Sequence, residues 1–200
     1  TVEDADAGQA VFQPQSGTDG AHGRFTLEAD GRWTYTLDNA SPAVQALGEG
    51  QTATETFTVR SADGSAGSVT VTIHGTNDGA VIDSSTANGP HAGSGSVTED
   101  LVLSTGGTLT VEDADAGQAV FQPQSGTAGA YGGFTLDAEG RWSYALDNTN
   151  PAVQALAEGQ ALTETFSVRS ADGTESTVRV TINGTDDAAV ISSATGTVTE

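Results

Sequence analysis

Carboxylates dominate the side chains of this sequence that could do chemistry, and they come in clusters. Glu3-Asp4-Ala5-Asp6 recurs as Glu112-Asp113-Ala114-Asp115. Asn77-Asp78, Glu99-Asp100 and Asp186-Asp187 add three further acidic steps. Hard divalent cations such as Ca²⁺ take six to eight oxygen ligands, several of them from carboxylates. Two Asp one residue apart, with a Gly close behind, can turn both carboxylates toward one ion. Without an ion, two like charges about 4 Å apart repel by roughly 4 kcal/mol at an effective dielectric of about 20. Compensation by basic side chains is scarce, because the chain has six Lys+Arg against 27 Asp+Glu and all six are Arg. The clusters at Asp4, Asp6, Asn77, Asp78, Glu99, Asp100, Asp113, Asp115, Asp186 and Asp187 are therefore the candidate metal ligands, with Ca²⁺ as the expected ion. The competing reading is solvated surface charge. An EF-hand is excluded: counting from Asp4, position 6 is Gln9 rather than Gly and position 12 is Gln15 rather than Glu.

Other chemistries fare worse. The chain has no Cys, which removes disulfides, zinc-thiolate sites and a cysteine nucleophile. His22 faces Tyr131 in the internal repeat described below, His74 faces Asn183, and His91 lies in a Gly/Ser-rich stretch. No Ser-His-Asp set is therefore matched in both copies. Phosphate loops, metalloprotease helices and nucleophile elbows are absent. The expectation is a non-enzyme. A net charge of −21 argues against binding nucleic acid or an anionic membrane surface. No apolar run approaches the roughly 18 residues of a membrane span, and the first residues lack the basic and apolar regions of a secretory signal.

The elements that must carry these acids follow from a repeat. Residues 1–82 align with 110–191 at a constant offset of 109, with 61 identities in 82 positions. This period exceeds the roughly 20–50 residues of solenoid repeats and suits a small domain in tandem. Each copy reads as β. Phe134 and Leu136 share one strand face, and Trp142, Tyr144 and Leu146 share another. Thr108–Glu112 alternates as a strand. Asp30-Gly31 is a hairpin turn, and Asp63-Gly64 and Asp172-Gly173 are turns. Trp33 and Tyr35, like Trp142 and Tyr144, are expected in the core rather than on a sugar-stacking platform. One short helix per copy is expected at Ser41-Pro42 and Asn150-Pro151, with Pro at the first position. About seven strands per unit give an all-β fold of tandem antiparallel β-sandwiches.

The expected domains are 1–83 as a first repeat lacking its first strand, 84–96 as a linker, 97–192 as a second repeat, and 193–200 as the start of a third. The opposite framing, in which Val-Thr-Glu closes each unit, stays open. Thr195–Glu200 echoes the start of the second repeat, so head-to-tail association through an exposed sheet edge is a further expectation.

The run VTED…GTLTVEDADAG…FTLDAEGRWSYALDNTNPAVQALAEGQ…TETFSVRSADG…VRVTINGTDDAAVI resembles the VCBS repeat of large bacterial RTX-type surface adhesins. The resemblance covers nearly all of 97–191, and 1–82 apart from the first strand. It implies cadherin-like or immunoglobulin-like Greek-key sandwiches, export by type I secretion, and a secreted, cell-surface role in adhesion and biofilm formation. Gly75-Thr76-Asn77-Asp78 is similar to a cadherin linker, and Asp113-Ala114-Asp115 to the motif that closes a calcium cage from the next domain. Gly79-Ala80 stands where that linker carries proline. The implied function is a calcium-stabilised extender whose partners are neighbouring repeats, with a host or matrix ligand held by other domains. The alternatives are a module that itself binds a glycan or surface protein, and an accessory domain of a secreted enzyme.

Overall fold

The computed structural model describes residues 1–6, 8–85, 92–189, 191–197 and 199–200. Residues 86–91 of the expected linker, with His91, lie outside these, as does Val198 of the expected next repeat. The chain divides into two units. Unit 1 is Thr1–Ala80 with Glu112–Ala119, and unit 2 is Val81–Val111 with Val120–Glu200.

Unit 2 has two principal sheets. One contains β8 (Ser104–Thr108), β10 (Gln124–Ala128), β11 (Gly132–Leu136) and β12 (Arg141–Leu146), in the order β10-β11-β12-β8. The other contains β7 (Ser94–Thr98), β13 (Ala161–Arg169) and β14 (Glu175–Asn183), in the order β13-β14-β7. Alternate residues of both sheets point into one core of Val97, Phe134, Leu136, Trp142, Tyr144, Phe166, Val168, Val178, Val180 and Ile182. The stacked pair Phe134–Phe166, 4.6 Å between centroids, links the two layers. These seven strands match the number expected. All pairings within these sheets are antiparallel except β7 on β14, which is parallel. A short pair, β6 (Val81–Asp83) with β9 (Thr110–Glu112), completes the unit. The strand expected over Thr108–Glu112 is broken at Leu109, whose side chain is fully buried and whose N–H donates to Gly140 O at 2.9 Å. β7 begins at Ser94, three residues ahead of the expected unit start.

Unit 1 repeats the arrangement with fewer strands. β1 (Gln15–Asp19), β2 (Gly23–Leu27) and β3 (Trp33–Leu37) form one sheet, and β4 (Thr52–Arg60) and β5 (Ala66–His74) the other. Its core is Phe25, Leu27, Phe57 and Val59, with Phe25 and Phe57 stacked at the same 4.6 Å. The expectation that both Trp are core is corrected here. Trp142 is 3% exposed, but Trp33 is 46% exposed. Among the described residues, no counterpart of β8 lies beside β3 to cover it.

Turn chemistry follows the sequence. Gly31 and Gly140 sit at φ 87° and 83°, the left-handed region that glycine adopts without penalty, and close the two hairpins. The helix is corrected in one copy. α1 (Pro42–Gln45) forms in unit 1, yet Ser41 makes no side-chain cap. In unit 2, Asn150 Oδ1 accepts from Ala152 N at 2.9 Å, but 151–155 forms only consecutive turns.

Candidate metal site

The Asp-Ala-Asp motif folds on itself in both copies. Asp6 N–H donates to Asp4 Oδ1 at 2.8 Å, and Asp115 N–H donates to Asp113 Oδ1 at 2.8 Å. The surroundings then diverge. Asp6 is exposed, whereas Asp115 is 2% exposed. Within unit 1, Asp115 Oδ2 accepts from Asp78 N at 2.8 Å and from Gln118 Nε2 at 3.1 Å. Ala116 N–H donates to Ala46 O, just after α1. The second oxygen of each carboxylate, Asp113 Oδ2 and Asp115 Oδ1, is buried without a hydrogen-bond partner. Asn77 is exposed and bonds through Nδ2 to Asp78 O at 2.8 Å, leaving its amide oxygen free of that bond.

A second carboxylate lies within unit 2. Glu99 is fully buried, and its own N–H donates to Asn183 O at 3.0 Å. Its Oε1 accepts from Thr185 N at 2.9 Å, and its Oε2 is buried without a partner. Asp100 is exposed at φ 60° and is locked by a reciprocal pair with Asn148: Asp100 N to Asn148 Oδ1 at 3.0 Å, Asn148 Nδ2 to Asp100 Oδ1 at 2.6 Å. Asp186 and Asp187 follow Thr185 and are exposed.

The ten candidates therefore separate. Asp113 and Asp115 come together with Asp78 and its neighbour Asn77. Glu99 stands beside the strand end that leads to Asp186 and Asp187. Asp6 is exposed and Asp4 half-buried, and no residue equivalent to Asp78 caps them among the described residues. Among those residues, no group of three or more His, Asp or Glu side chains gathers closely enough to hold a metal on its own.

The residues nonetheless suit a hard cation. A buried carboxylate oxygen with no donor is costly, and three of them occur in the acidic motifs. Calcium takes backbone carbonyl and amide oxygens as readily as carboxylates, so two or three acids per site suffice.

A different buried acid was missed from the motifs. Glu164 accepts from Tyr144 OH at 2.6 Å, from Tyr131 N at 3.0 Å and from Ala130 N. Glu55 does the same in unit 1, accepting from Tyr35 OH at 2.6 Å and His22 N at 2.7 Å. Burial works against ionisation of Glu55, but the hydrogen bonds from Tyr35, His22 and Ala21 outweigh it and hold its pKa below the ordinary value. Burial and the adjoining carboxylate push the Tyr35 and Tyr144 hydroxyls well above their ordinary range. The signal was present: Glu55 shares strand parity with Phe57 and Val59, so it had to point inward.

Comparison with known proteins now adds to the geometry. The family model described as a bacterial cadherin-like domain matches residues 1–75 and 78–184. No curated protein matches. Among solved structures, mouse cadherin-23 EC22-24 is similar at 20% identity with a TM-score of 0.46, covering 90% of this chain and 56% of that one. PcdhgB3 EC1-4 is similar at 13% identity and TM-score 0.41, covering 88% and 42%. The protocadherin gamma B4 extracellular domain is similar at 16% and 0.42, covering 90% and 27%. This chain spans less than two thirds of each of those structures. With the model matching most of both copies, the chain belongs to the bacterial cadherin-like domain family.

Proposed function

We propose that these units are non-enzymatic extender repeats of a secreted bacterial surface adhesin, stabilised by calcium at their acidic ends. The observation that carries the reading is the set of buried, partnerless oxygens at Asp113, Asp115 and Glu99. Asp113 and Asp115, with Asp78 and Asn77, would hold one ion. Glu99, with Asp100, Asp186 and Asp187, would contribute at the corresponding end of unit 2, and Asp4 and Asp6 at the head of unit 1. The ion supplies positive charge where the chain has little, and the residues supply its oxygen shell.

The chain's own residues do the rest. The bond from Asp78 N to Asp115 Oδ2 ties the linker to the Asp-Ala-Asp turn. Glu99, just after β7, ties that strand's end to Thr185, just after β14. An ion that binds only this ordered arrangement stabilises it by mass action, about 2.7 kcal/mol at a free concentration 100-fold above Kd. Such stiffened repeats give reach between a cell surface and a ligand-binding tip elsewhere in the protein, in adhesion or biofilm formation. Catalysis finds no support: Glu55 and Glu164, the buried acids beside open clefts, are each committed to several donors. A glycan platform at Tyr131 is disfavoured too, because that ring is half-buried against the core.

Calorimetric titration with calcium tests the reading. We expect saturable binding and a melting temperature lowered by chelator. Asp115→Asn should weaken both, while Asp63→Asn, in an exposed turn, should leave calcium binding intact. An absence of binding heat together with identical melting curves in calcium and in chelator overturns it.

A further inference from the structure

Five Asp-Gly steps run through the sequence, at Asp19, Asp30, Asp63, Asp78 and Asp172. Such a step can modify itself. Glycine has no Cβ to fend off the preceding side chain, so its main-chain nitrogen can reach the Asp carboxyl carbon. The reaction needs a glycine N–H that is not spent in a hydrogen bond and a carboxyl group that is not pinned elsewhere. Four of the five steps lack both. Gly20, Gly31, Gly64 and Gly173 each donate to a turn carbonyl, at distances between 2.7 and 3.0 Å. The Asp19 carboxylate is held by Arg24, that of Asp30 by Arg32 N, that of Asp63 by Ser65 and that of Asp172 by Thr174.

Asp78-Gly79 is different. Neither the Asp78 carboxylate nor the Gly79 N–H has a protein partner among the described residues. Gly79 is exposed, and a Cβ there would meet nothing within 4 Å, so a ring has room to close. Two neighbours prepare the step. The Asp78 N–H is anchored on Asp115 Oδ2 at 2.8 Å, which fixes the main chain and leaves the side chain to turn. Asn77 Nδ2 donates to Asp78 O at 2.8 Å, on the same peptide unit as the Gly79 N–H. A donor on a peptide carbonyl polarises the unit and makes its N–H a better acid. The equivalent place in unit 2 has neither residue: Asp186 stands for Asn77 and Ala188 for Gly79.

We propose that Asp78-Gly79 is a self-modification site that converts to isoaspartate in the folded protein. Gly79 N bonds to Asp78 Cγ, the nitrogen loses its proton and Cγ its hydroxyl, and the two leave as water from a cyclic succinimide. Water then opens the ring. Attack at the Asp78 main-chain carbonyl carbon leaves the chain running through Cβ and Cγ, one carbon longer, with the α-carboxylate as its side group. Attack at Cγ restores Asp. The product lengthens the chain just beyond its anchor on Asp115. An ion on the Asp78 carboxylate would hold this step back, so the modification records calcium-poor periods; that consequence alone rests on the calcium reading above.

The test is peptide mapping by mass spectrometry of the 200-residue chain after prolonged warm incubation in chelator and heavy-oxygen water. Ring opening introduces heavy oxygen, and isoaspartyl peptides separate from aspartyl ones by chromatography. We expect isoaspartate at Asp78 to exceed that at the other four steps by roughly tenfold or more, because each locked step must first break its hydrogen bonds. In denaturant the five should react alike. Gly79→Ala, which installs the unit 2 residue in open space, should abolish the signal, and Asn77→Ala should slow it. The map keeps this peptide apart from Asn88-Gly89, which lies outside the described residues. Equal labelling of the five steps in the folded chain, or label at Asp78 only after denaturation, overturns the proposal. So does an undiminished signal in Gly79→Ala. Calcium that binds by calorimetry yet leaves the rate unchanged overturns the shielding and leaves the site standing.

Discussion

Trp33 and Trp142 occupy equivalent positions in two copies that agree at 61 of 82 residues, yet one is 46% exposed and the other 3%. The neighbouring Leu behaves alike, with Leu37 at 37% and Leu146 at 8%. Local structure does not explain this, because β2–β3 and β11–β12 share their register and both phenylalanine pairs stack at the same distance. The difference is what lies opposite. Unit 2 has β7 and β8 closing its two sheets, and unit 1 has neither counterpart among the described residues. A strand pair with a hydrophobic face is stable only when another layer covers it. The comparison thus isolates the contribution of two strands to an otherwise constant sandwich.

That contrast can be attacked by mutation, and calorimetry that separates the two units is the measurement throughout. The largest effect is expected from Trp142→Ala, which opens a cavity in a closed core and should cost about 3–5 kcal/mol. Trp33→Ala should cost about 1 kcal/mol or less, since much of that ring is already in water. Equal losses would mean that unit 1 is covered in solution.

Next comes Tyr144→Phe, which strips the hydroxyl from buried Glu164 and should cost about 1.5–3 kcal/mol in unit 2. Tyr35→Phe should cost unit 1 less, because Glu55 and Glu164 are equally buried but the Tyr35 ring is only half-buried where Tyr144 is fully buried. Gly64→Ala and Gly173→Ala serve as the internal control. Both glycines sit at left-handed φ, 94° and 92°, with open space around them. Each substitution should cost about 1–2 kcal/mol, and equally, because the penalty is local.

The smallest effect expected is that of pH on unit 1. The pKa of Glu55 is depressed on folding, so its contribution is fully present above the unfolded carboxylate value and is lost as pH falls through the folded one. That of Tyr35 is raised, so its contribution is present below the ordinary tyrosine value and is lost as pH climbs beyond it. Melting of unit 1 should therefore be flat between those ranges and fall at both ends. Glu55→Gln should flatten the acid limb; an unchanged acid limb would assign it to other carboxylates.

Much of the fold was legible from residue order. The parity of Phe134, Leu136, Trp142 and Tyr144 placed the inward faces, and Asp30-Gly31 and Asp172-Gly173 marked turns that form. The same parity rule, applied to Glu55, would have found the buried acid that attention to acidic motifs passed over. Other features were out of reach. The break at Leu109 arises because its side chain is drawn into the core while its N–H pairs with Gly140. The second helix fails to form although Asn150 caps it, whereas Ser41 starts α1 without a side-chain bond.

The acidic motifs divide in the same way. Both Asp-Ala-Asp turns close with the same 2.8 Å bond, and residue order alone determined that. Only the tertiary structure decided that Asp115 is buried under Asp78 N–H while Asp6 faces water. By itself the sequence determined what depends on near neighbours: strand parity, left-handed turns, the repeat and its charge. Burial depends on which distant segment arrives opposite, so identical words in this chain acquire different environments and chemistry.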